Sequence, residues 1–212
     1  LVHMQGLGRC GDRAALAEEI RRHQDRVLDL FIAGTAAEIT FNGFPDLQLR
    51  RMRVVIELKD KTIVAAGVQG VSYIKNHKVI ETVTYGNGQN NAQTLSLMEM
   101  NDGTILAGTD GDGLAVIRSG KLAYFLKISD GLTSDVILRT VKFPTGDKVY
   151  VITSNSLCYL DDDFKIHTLP NFPYFNNYDI HVSDDGNLFV SGSAGIYVVS
   201  HEGLVSGALN LQ

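Results

Sequence analysis

The feature that most limits the fold of this chain is a repeated unit of short, mainly apolar runs. Its clearest copy contains four of them, at Thr94–Met100, Thr104–Thr109, Leu114–Arg118 and Lys121–Ile128. The turns between the runs have sequences such as Asn-Asp-Gly and Ser-Gly, whose residues tolerate the positive φ angles of tight turns. The unit therefore predicts a small antiparallel sheet of four strands.

Copies of this unit recur along most of the chain. The first aliphatic residue after the central turn of each copy returns roughly every 40 residues. These residues are Ile39, Val71, Leu114, Leu157 and Ile196. Such a period, with four strands in each repeat, is typical of a β-propeller built from four-stranded antiparallel blades. We therefore expect an all-β propeller over residues 29–212 with about four to five blades, as a small closed ring or an arc of a larger propeller.

Residues 1–28 differ from the repeats. The segment Ala14–Leu28 combines strong helix formers with a partly apolar stripe, and Asp12 is a candidate N-cap. We expect a short N-terminal helix here, which either caps the sheets or belongs to a neighbouring segment.

The composition argues against two classes of partner. The 212 residues carry a net charge of −5, whereas proteins that bind nucleic acids or anionic membranes need a basic surface. No apolar run approaches the ~18 residues of a membrane-spanning helix, so we expect this segment to make no membrane contact of its own. Cys158 lies in an apolar run and is expected to pack in the core, although a disulfide with Cys10 is an alternative.

Motifs of enzymes and of metal or cofactor sites are missing from the sequence. There is no Gly-x-Ser-x-Gly elbow and no His-Glu-x-x-His motif, and the six histidines are scattered. The carboxylates of Asp110-Gly111-Asp112-Gly113 suit Ca²⁺, but the further oxygen ligands of an EF-hand loop do not follow. We interpret this stretch as a tight turn and expect no catalytic residue, metal or cofactor.

The order of strands in a blade predicts where a ligand binds. The turn between the second and third strands and the loop leaving the fourth strand emerge on the same face, which thus receives the long polar and aromatic loops. Amide and aromatic groups there suit hydrogen bonding and stacking against a neutral polar small molecule such as a carbohydrate. Alternatively, Asn-rich loops are simply favourable loop sequences. The candidate ligand-binding residues are Asn90, Asn91, Asp110, Asp112, Tyr174, Asn176 and Asn177.

Two stretches match the repeat of a known family. Asp130–Val136 reads Asp-Gly-Leu-Thr-Ser-Asp-Val, and Asp102–Thr109 reads Asp-Gly-Thr-Ile-Leu-Ala-Gly-Thr. With weaker copies at Ile63–Ile74 and Asp185–Val198, the chain resembles the two-component regulator propellers from about residue 29 to 200. It is most similar to propellers that precede GGDEF diguanylate cyclase domains. The family often has Trp in the second strand, where this chain has Leu106, Tyr150 and Phe189.

This resemblance implies an extracytoplasmic, ligand-binding sensor domain of a bacterial membrane receptor, without catalysis of its own. The output, a diguanylate cyclase or a histidine kinase, would lie outside this chain. Two other classes stay open. One is a propeller enzyme, a lyase or hydrolase, with its site on the loop-rich face. The other is a scaffold or adhesion propeller for protein partners, which a stable homodimer would favour.

Overall fold

The computed structural model describes residues 52–86, 92–142, 148–169, 172–173, 176–183, 186–200 and 205–209. The described residues form four antiparallel sheets of four strands each, in which neighbouring strands follow one another in the chain. The all-β fold with four-stranded blades is thus confirmed. The predicted N-terminal helix, the first repeat copy around Ile39 and the residue Cys10 lie outside the described residues.

Each sheet is one blade. Blade 1 consists of β1 (Val54–Glu57), β2 (Ile63–Gly67), β3 (Gly70–Lys75) and β4 (Lys78–Thr84). Blade 2 consists of β5 (Thr94–Glu99), β6 (Ile105–Thr109), β7 (Leu114–Arg118) and β8 (Lys121–Leu126). Blade 3 consists of β9 (Ile137–Lys142), β10 (Val149–Thr153), β11 (Leu157–Leu160) and β12 (Ile166–Thr168). Blade 4 consists of β13 (Asn177–Val182), β14 (Leu188–Gly192), β15 (Gly195–Val199) and β16 (Val205–Leu209).

The first strand of each blade lies closest to the propeller axis. Contacts join β1 to β5, β5 to β9 and β9 to β13, whereas the fourth strands form the outer edges of the blades. Among the described strands, no comparable contact joins β13 back to β1. The four blades therefore form an arc around a common axis.

Apolar layers between consecutive blades form the core. Side chains on a strand alternate between its two faces, so a second strand that is buried on both faces is apolar throughout. In β6, Ile105 and Ala107 pack towards blade 1, whereas Leu106 packs towards blade 3. Leu106, Tyr150 and Phe189 occupy the same register of their blades.

A β-bulge interrupts the first strand of blades 2, 3 and 4 near the start of that strand. The register shifts there insert Leu95, Leu138 and Tyr178 as the extra residues. A bulge re-aims the inserted side chain relative to regular alternation. In blade 4 the re-aimed residue is Tyr178, whose exposed fraction is 64%.

Candidate functional site

The arc has two rims, which differ in the connections that they carry. On one side, the turns between second and third strands meet the loops that link one blade to the next, and we call this side the loop rim. Backbone bonds join these parts: in blades 3 and 4, Ser154 N donates to Val136 O (3.0 Å), Asn177 N to Ser154 O (3.1 Å) and Ser193 N to Asn176 O (2.8 Å). The predicted convergence of the two kinds of connection on one face is confirmed. The opposite side, the turn rim, carries the remaining turns of each blade.

The Asp110–Gly113 turn is held by backbone bonds to both neighbouring connections. Asp110 N donates to Gln93 O (2.9 Å), and Gly113 N donates to Asp135 O (2.8 Å). Gly113 has a φ of +87°, and a Cβ built there would lie 2.2 Å from the carbonyl oxygen of Leu126. Only glycine fits this position, so the structure agrees with the interpretation of this stretch as a turn. Within the described ranges, no cluster of three or more His, Cys, Asp or Glu side chains could hold a metal ion.

The loop between blades 2 and 3 is stiffened by its own motif residues. It contains a short 3₁₀ helix, Ile128–Asp130. The Asp130 carboxylate accepts a hydrogen bond from Lys127 N (2.9 Å), and the Asp135 carboxylate accepts one from Ile128 N (2.8 Å). Leu132, which is 3% exposed, anchors the loop in the apolar layer between the two blades. The Asp-Gly-Leu-Thr-Ser-Asp stretch thus builds a rigid part of the loop rim.

Paired hydroxyl groups fasten this loop to the adjacent turn of blade 3. Thr133 Oγ1 lies 2.8 Å from Thr153 Oγ1, and Ser134 Oγ lies 2.9 Å from Ser154 Oγ. Asn155 Nδ2 also donates to Thr133 O at 3.0 Å. These hydrogen bonds therefore connect the loop and the turn into one part of the rim.

Asn176 and Asn177, both predicted ligand-binding residues, have different environments. Asn176 is exposed, but Asn177 is 5% exposed. The Asn177 Nδ2 donates to Thr153 O (3.1 Å) and to Ser156 O (2.9 Å) in the turn of blade 3. Its Oδ1 is buried and has no hydrogen-bond partner in the described structure. The Asn177 side chain therefore joins blades 3 and 4 below the rim surface.

The structure brings the described candidates to the same rim. Asp110 is exposed and Asp112 half-buried at the tip of the blade 2 turn, and Asn176 lies at the entrance to blade 4. The candidates Asn90, Asn91 and Tyr174 lie outside the described residues.

The wall facing the axis contains residues that the sequence analysis did not select. Arg139 of β9 forms an ion pair with Asp179 of β13, and both side chains are about half exposed. Tyr178 is the bulge residue next to Asp179 and is 64% exposed. Finding Tyr178 from the sequence would have required the register of β13 against β14, which the repeat pattern does not contain.

Polar groups of the turn rim bind within single turns and also between blades, where Lys59 N donates to the Glu99 carboxylate at 2.9 Å. The Asp60 carboxylate accepts hydrogen bonds from Thr62 N and Thr62 Oγ1, both at 2.9 Å, and Asp102 binds Thr104 in the same way. Lys75 also binds Asp60 at 2.7 Å, and these hydrogen bonds lower the pKa of Asp60 to about 2. The hydrogen bond from Thr104 N similarly lowers the pKa of Asp102. These shifts reflect turn structure.

Cys158 is buried, as predicted, and is a free cysteine. Its burial raises the pKa of the thiol, against a smaller opposite effect of hydrogen bonding to Thr133. A protonated thiol is a weak nucleophile, so Cys158 behaves as a core side chain.

Comparison with solved structures identifies the fold. The extracellular domain of a hybrid two-component system from B. thetaiotaomicron superimposes with a TM-score of 0.62 at 16% identity, over 83% of this chain and 25% of that chain. A second such domain from the same organism gives a TM-score of 0.58 at 24% identity, over 69% of this chain and 21% of that chain. The chain is a β-propeller. This propeller spans about a quarter of the length of these extracellular domains.

The resemblance to two-component regulator propellers is confirmed at the level of the fold, which is what such identities establish. Virginiamycin B lyase from Staphylococcus aureus is also similar, with a TM-score of 0.61 at 13% identity over 79% of this chain and 58% of that chain. No protein-family profile matches the chain, and no curated protein matches it in sequence. The described residues contain no helix that is long and apolar enough to cross a membrane.

Proposed function

We propose that this chain is a ligand-binding sensor propeller in the extracytoplasmic region of a bacterial membrane signalling protein. The observation that supports it most is the agreement between the sequence motifs and the structural neighbours, which include extracellular domains of two-component systems. In this proposal the chain has no catalytic activity, and a diguanylate cyclase or histidine kinase elsewhere in the polypeptide produces the output.

The loop rim is the proposed binding surface. Asn176 and Tyr178 are exposed at the entrance to blade 4, on a frame that hydrogen bonds between blades hold in place. An exposed tyrosine ring offers a stacking surface, and an amide both donates and accepts hydrogen bonds. Asp110 and Asp112 add acceptors at the neighbouring turn. Asn90, Asn91 and Tyr174 remain part of the proposal as predicted loop residues.

The charges beside Tyr178 favour a neutral ligand. Arg139 and Asp179 are paired with each other, so this part of the wall presents polar groups without net charge. A neutral molecule with many hydroxyl groups, such as a carbohydrate, matches an aromatic ring next to paired polar groups. Asn177 contributes indirectly, because its side chain fixes the turn beside which Asn176 and Tyr178 lie.

A thermal-shift screen against oligosaccharides, amino acids, nucleotides and Ca²⁺ tests this proposal. A ligand that binds only the folded state stabilises it by about 2.7 kcal/mol at 100 times its Kd, which gives a measurable rise in Tm. We expect a carbohydrate or another neutral metabolite to stabilise the protein, and Tyr178→Ala or Asn176→Ala to abolish this effect. Tyr124→Ala is the matched control, because Tyr124 is exposed on the outer strand β8. Stabilisation that survives both rim substitutions would contradict the proposed surface.

A propeller lyase is the second candidate, and the virginiamycin B lyase neighbour is the observation that favours it. Such an enzyme needs a general base, and His181 is an exposed histidine on the first strand of blade 4. The two functions are separated by incubating the stabilising ligand with the protein and following its mass. Unchanged ligand supports a sensor, whereas a product that disappears with His181→Ala supports a lyase.

A further inference from the structure

Each blade has a forward face, which we define as the face that packs against the following blade. Equivalent forward-face positions in the second strands of blades 1, 2 and 3 are Val64, Leu106 and Tyr150, which are 0%, 0% and 1% exposed. The corresponding positions in the third strands are Val71, Leu114 and Leu157, which are all 0% exposed. At these positions the forward faces of three consecutive blades are therefore fully covered.

The forward face of blade 4 carries the same kind of side chains but is incompletely covered. Phe189 and Ile196 occupy the positions that are buried in the other blades, and both are only half-buried. His181, the partner of Phe189 in β13, is exposed, whereas the corresponding first-strand residues of blades 1 to 3 are half-buried; these are Ile56, Met98 and Val141. Large apolar side chains that lie together on a solvent-facing surface indicate that another element packs against them.

The chain itself shows what covers such a face. In each of the three observed layers, the covering group is the second strand of the next blade. Ile105 and Ala107 cover blade 1, Val149 and Val151 cover blade 2, and Leu188 and Val190 cover blade 3. The covering strand thus presents aliphatic residues at its first and third positions. The partner that fits Phe189 and Ile196 is another four-stranded blade of this pattern.

We propose that the forward face of blade 4 packs against a fifth blade that belongs to the same polypeptide and follows blade 4 in sequence. All three observed layers join blades that are consecutive in the chain, which favours a cis partner over a second copy. The propeller also covers only about a quarter of the extracellular domains that it resembles. Because Tyr178 lies on the same blade, the fifth blade would complete the wall next to it. This inference goes beyond the sensor function and holds equally for a lyase or a scaffold.

Site-specific photo-crosslinking in the full natural polypeptide tests the proposal. p-Benzoylphenylalanine placed at Phe189 replaces one aromatic ring by a larger one that reacts with neighbouring C–H bonds. We expect mass spectrometry to find the crosslink in a peptide that follows residue 212. The matched control is the same amino acid at Tyr150, which packs in one layer with Ile180 and Leu188 of blade 4 and should crosslink to that blade. At the exposed Tyr124 no intramolecular crosslink to another blade is expected.

Three other outcomes would each overturn the proposal. A crosslink from residue 189 to residues 1–51 would show that the N-terminal segment covers this face. A crosslink between copies, detected by mixing isotopically light and heavy chains, would show that the face is a dimer interface. If residue 189 gives no crosslink while residue 150 does, the face is open to solvent.

Discussion

The two rims of this propeller differ in how the connections between strands are stabilised. On the turn rim, Asp60 and Asp102 each bind a threonine two residues away, and Lys59 N also donates to the Glu99 carboxylate of the next blade. On the loop rim, the backbone groups of Asp135 and Ser154 bind a different connection, and the Asn177 side chain reaches into the neighbouring blade. Asp60 and Asp102 thus stabilise the turn rim through a local motif, whereas on the loop rim backbone groups also join one blade to the next, and exposed residues lie on that frame.

The largest difference between the rims should appear where a strand begins. Leu114 opens β7 directly after the loop-rim turn and is fully buried, whereas Lys121 opens β8 after a turn-rim turn and is exposed. Leu114→Asp should cost several kcal/mol, because it buries an unpaired charge. We expect loss of the cooperative thermal transition measured by circular dichroism. Lys121→Asp should change Tm little, and an unchanged Tm for Leu114→Asp would show that this strand is misplaced.

A pair of glycines gives the next largest contrast. Gly113 on the loop rim and Gly103 on the turn rim have similar φ angles, +87° and +83°. A Cβ at Gly113 would meet the Leu126 carbonyl oxygen at 2.2 Å, whereas nothing lies within 4 Å of a Cβ at Gly103. Gly103→Ala should cost about 1 kcal/mol from backbone strain alone, and Gly113→Ala about 3 kcal/mol or more. Equal losses in urea unfolding would contradict the close approach at Gly113.

The adjacent asparagines test the bonds between blades. Asn177→Ala removes a donor to two carbonyl groups of blade 3 and should lower the free energy of unfolding by about 1–3 kcal/mol. Asn176→Ala, at an exposed position, should stay within about 0.5 kcal/mol of the wild type. Chemical denaturation of the two variants measures this difference. A larger loss for Asn176→Ala would reverse the roles that we assign to the two residues.

The smallest expected effect is the loss of stability at low pH that protonation of carboxylates on the turn rim causes. Asp60 and Asp102 have lower pKa values in the folded protein than in the unfolded chain. Their stabilisation is therefore present above the unfolded pKa of about 3.9 and is lost as the pH falls through the folded value, which is about 2 for Asp60. Because both carboxylates are solvent-exposed, we expect less than about 1 kcal/mol from each. Asp102→Asn should flatten the decline in Tm as the pH falls below about 4, and a decline unchanged in this variant would exclude Asp102 as a cause.

The fold was predictable because the information for it is local. Turn residues such as Asn101-Asp102-Gly103 and the apolar runs between them mark the strand ends, and the structure places β5 to β8 within two residues of the predicted runs. The period of the repeats then indicates a propeller. The face that carries the loops also follows from strand order alone.

The individual site residues were less predictable, because a bulge shifts the alternation of side chains by one residue. Regular alternation cannot place the neighbours Asn177 and Tyr178 relative to the bulge, yet one is buried between blades and the other is exposed. Both environments depend on long-range register. Sequence reasoning could therefore select the loop before β13 but could not separate its exposed residues from those buried between blades.

Hydrogen–deuterium exchange with and without the stabilising ligand is the most direct test of the loop rim as the binding face. The account predicts slower exchange in peptides from the loop rim, around residues 127–136, 154–156 and 176–178, and unchanged exchange in the turns 100–104 and 119–120. Protection confined to the turn rim, or to the outer strands β4 and β8, would contradict it.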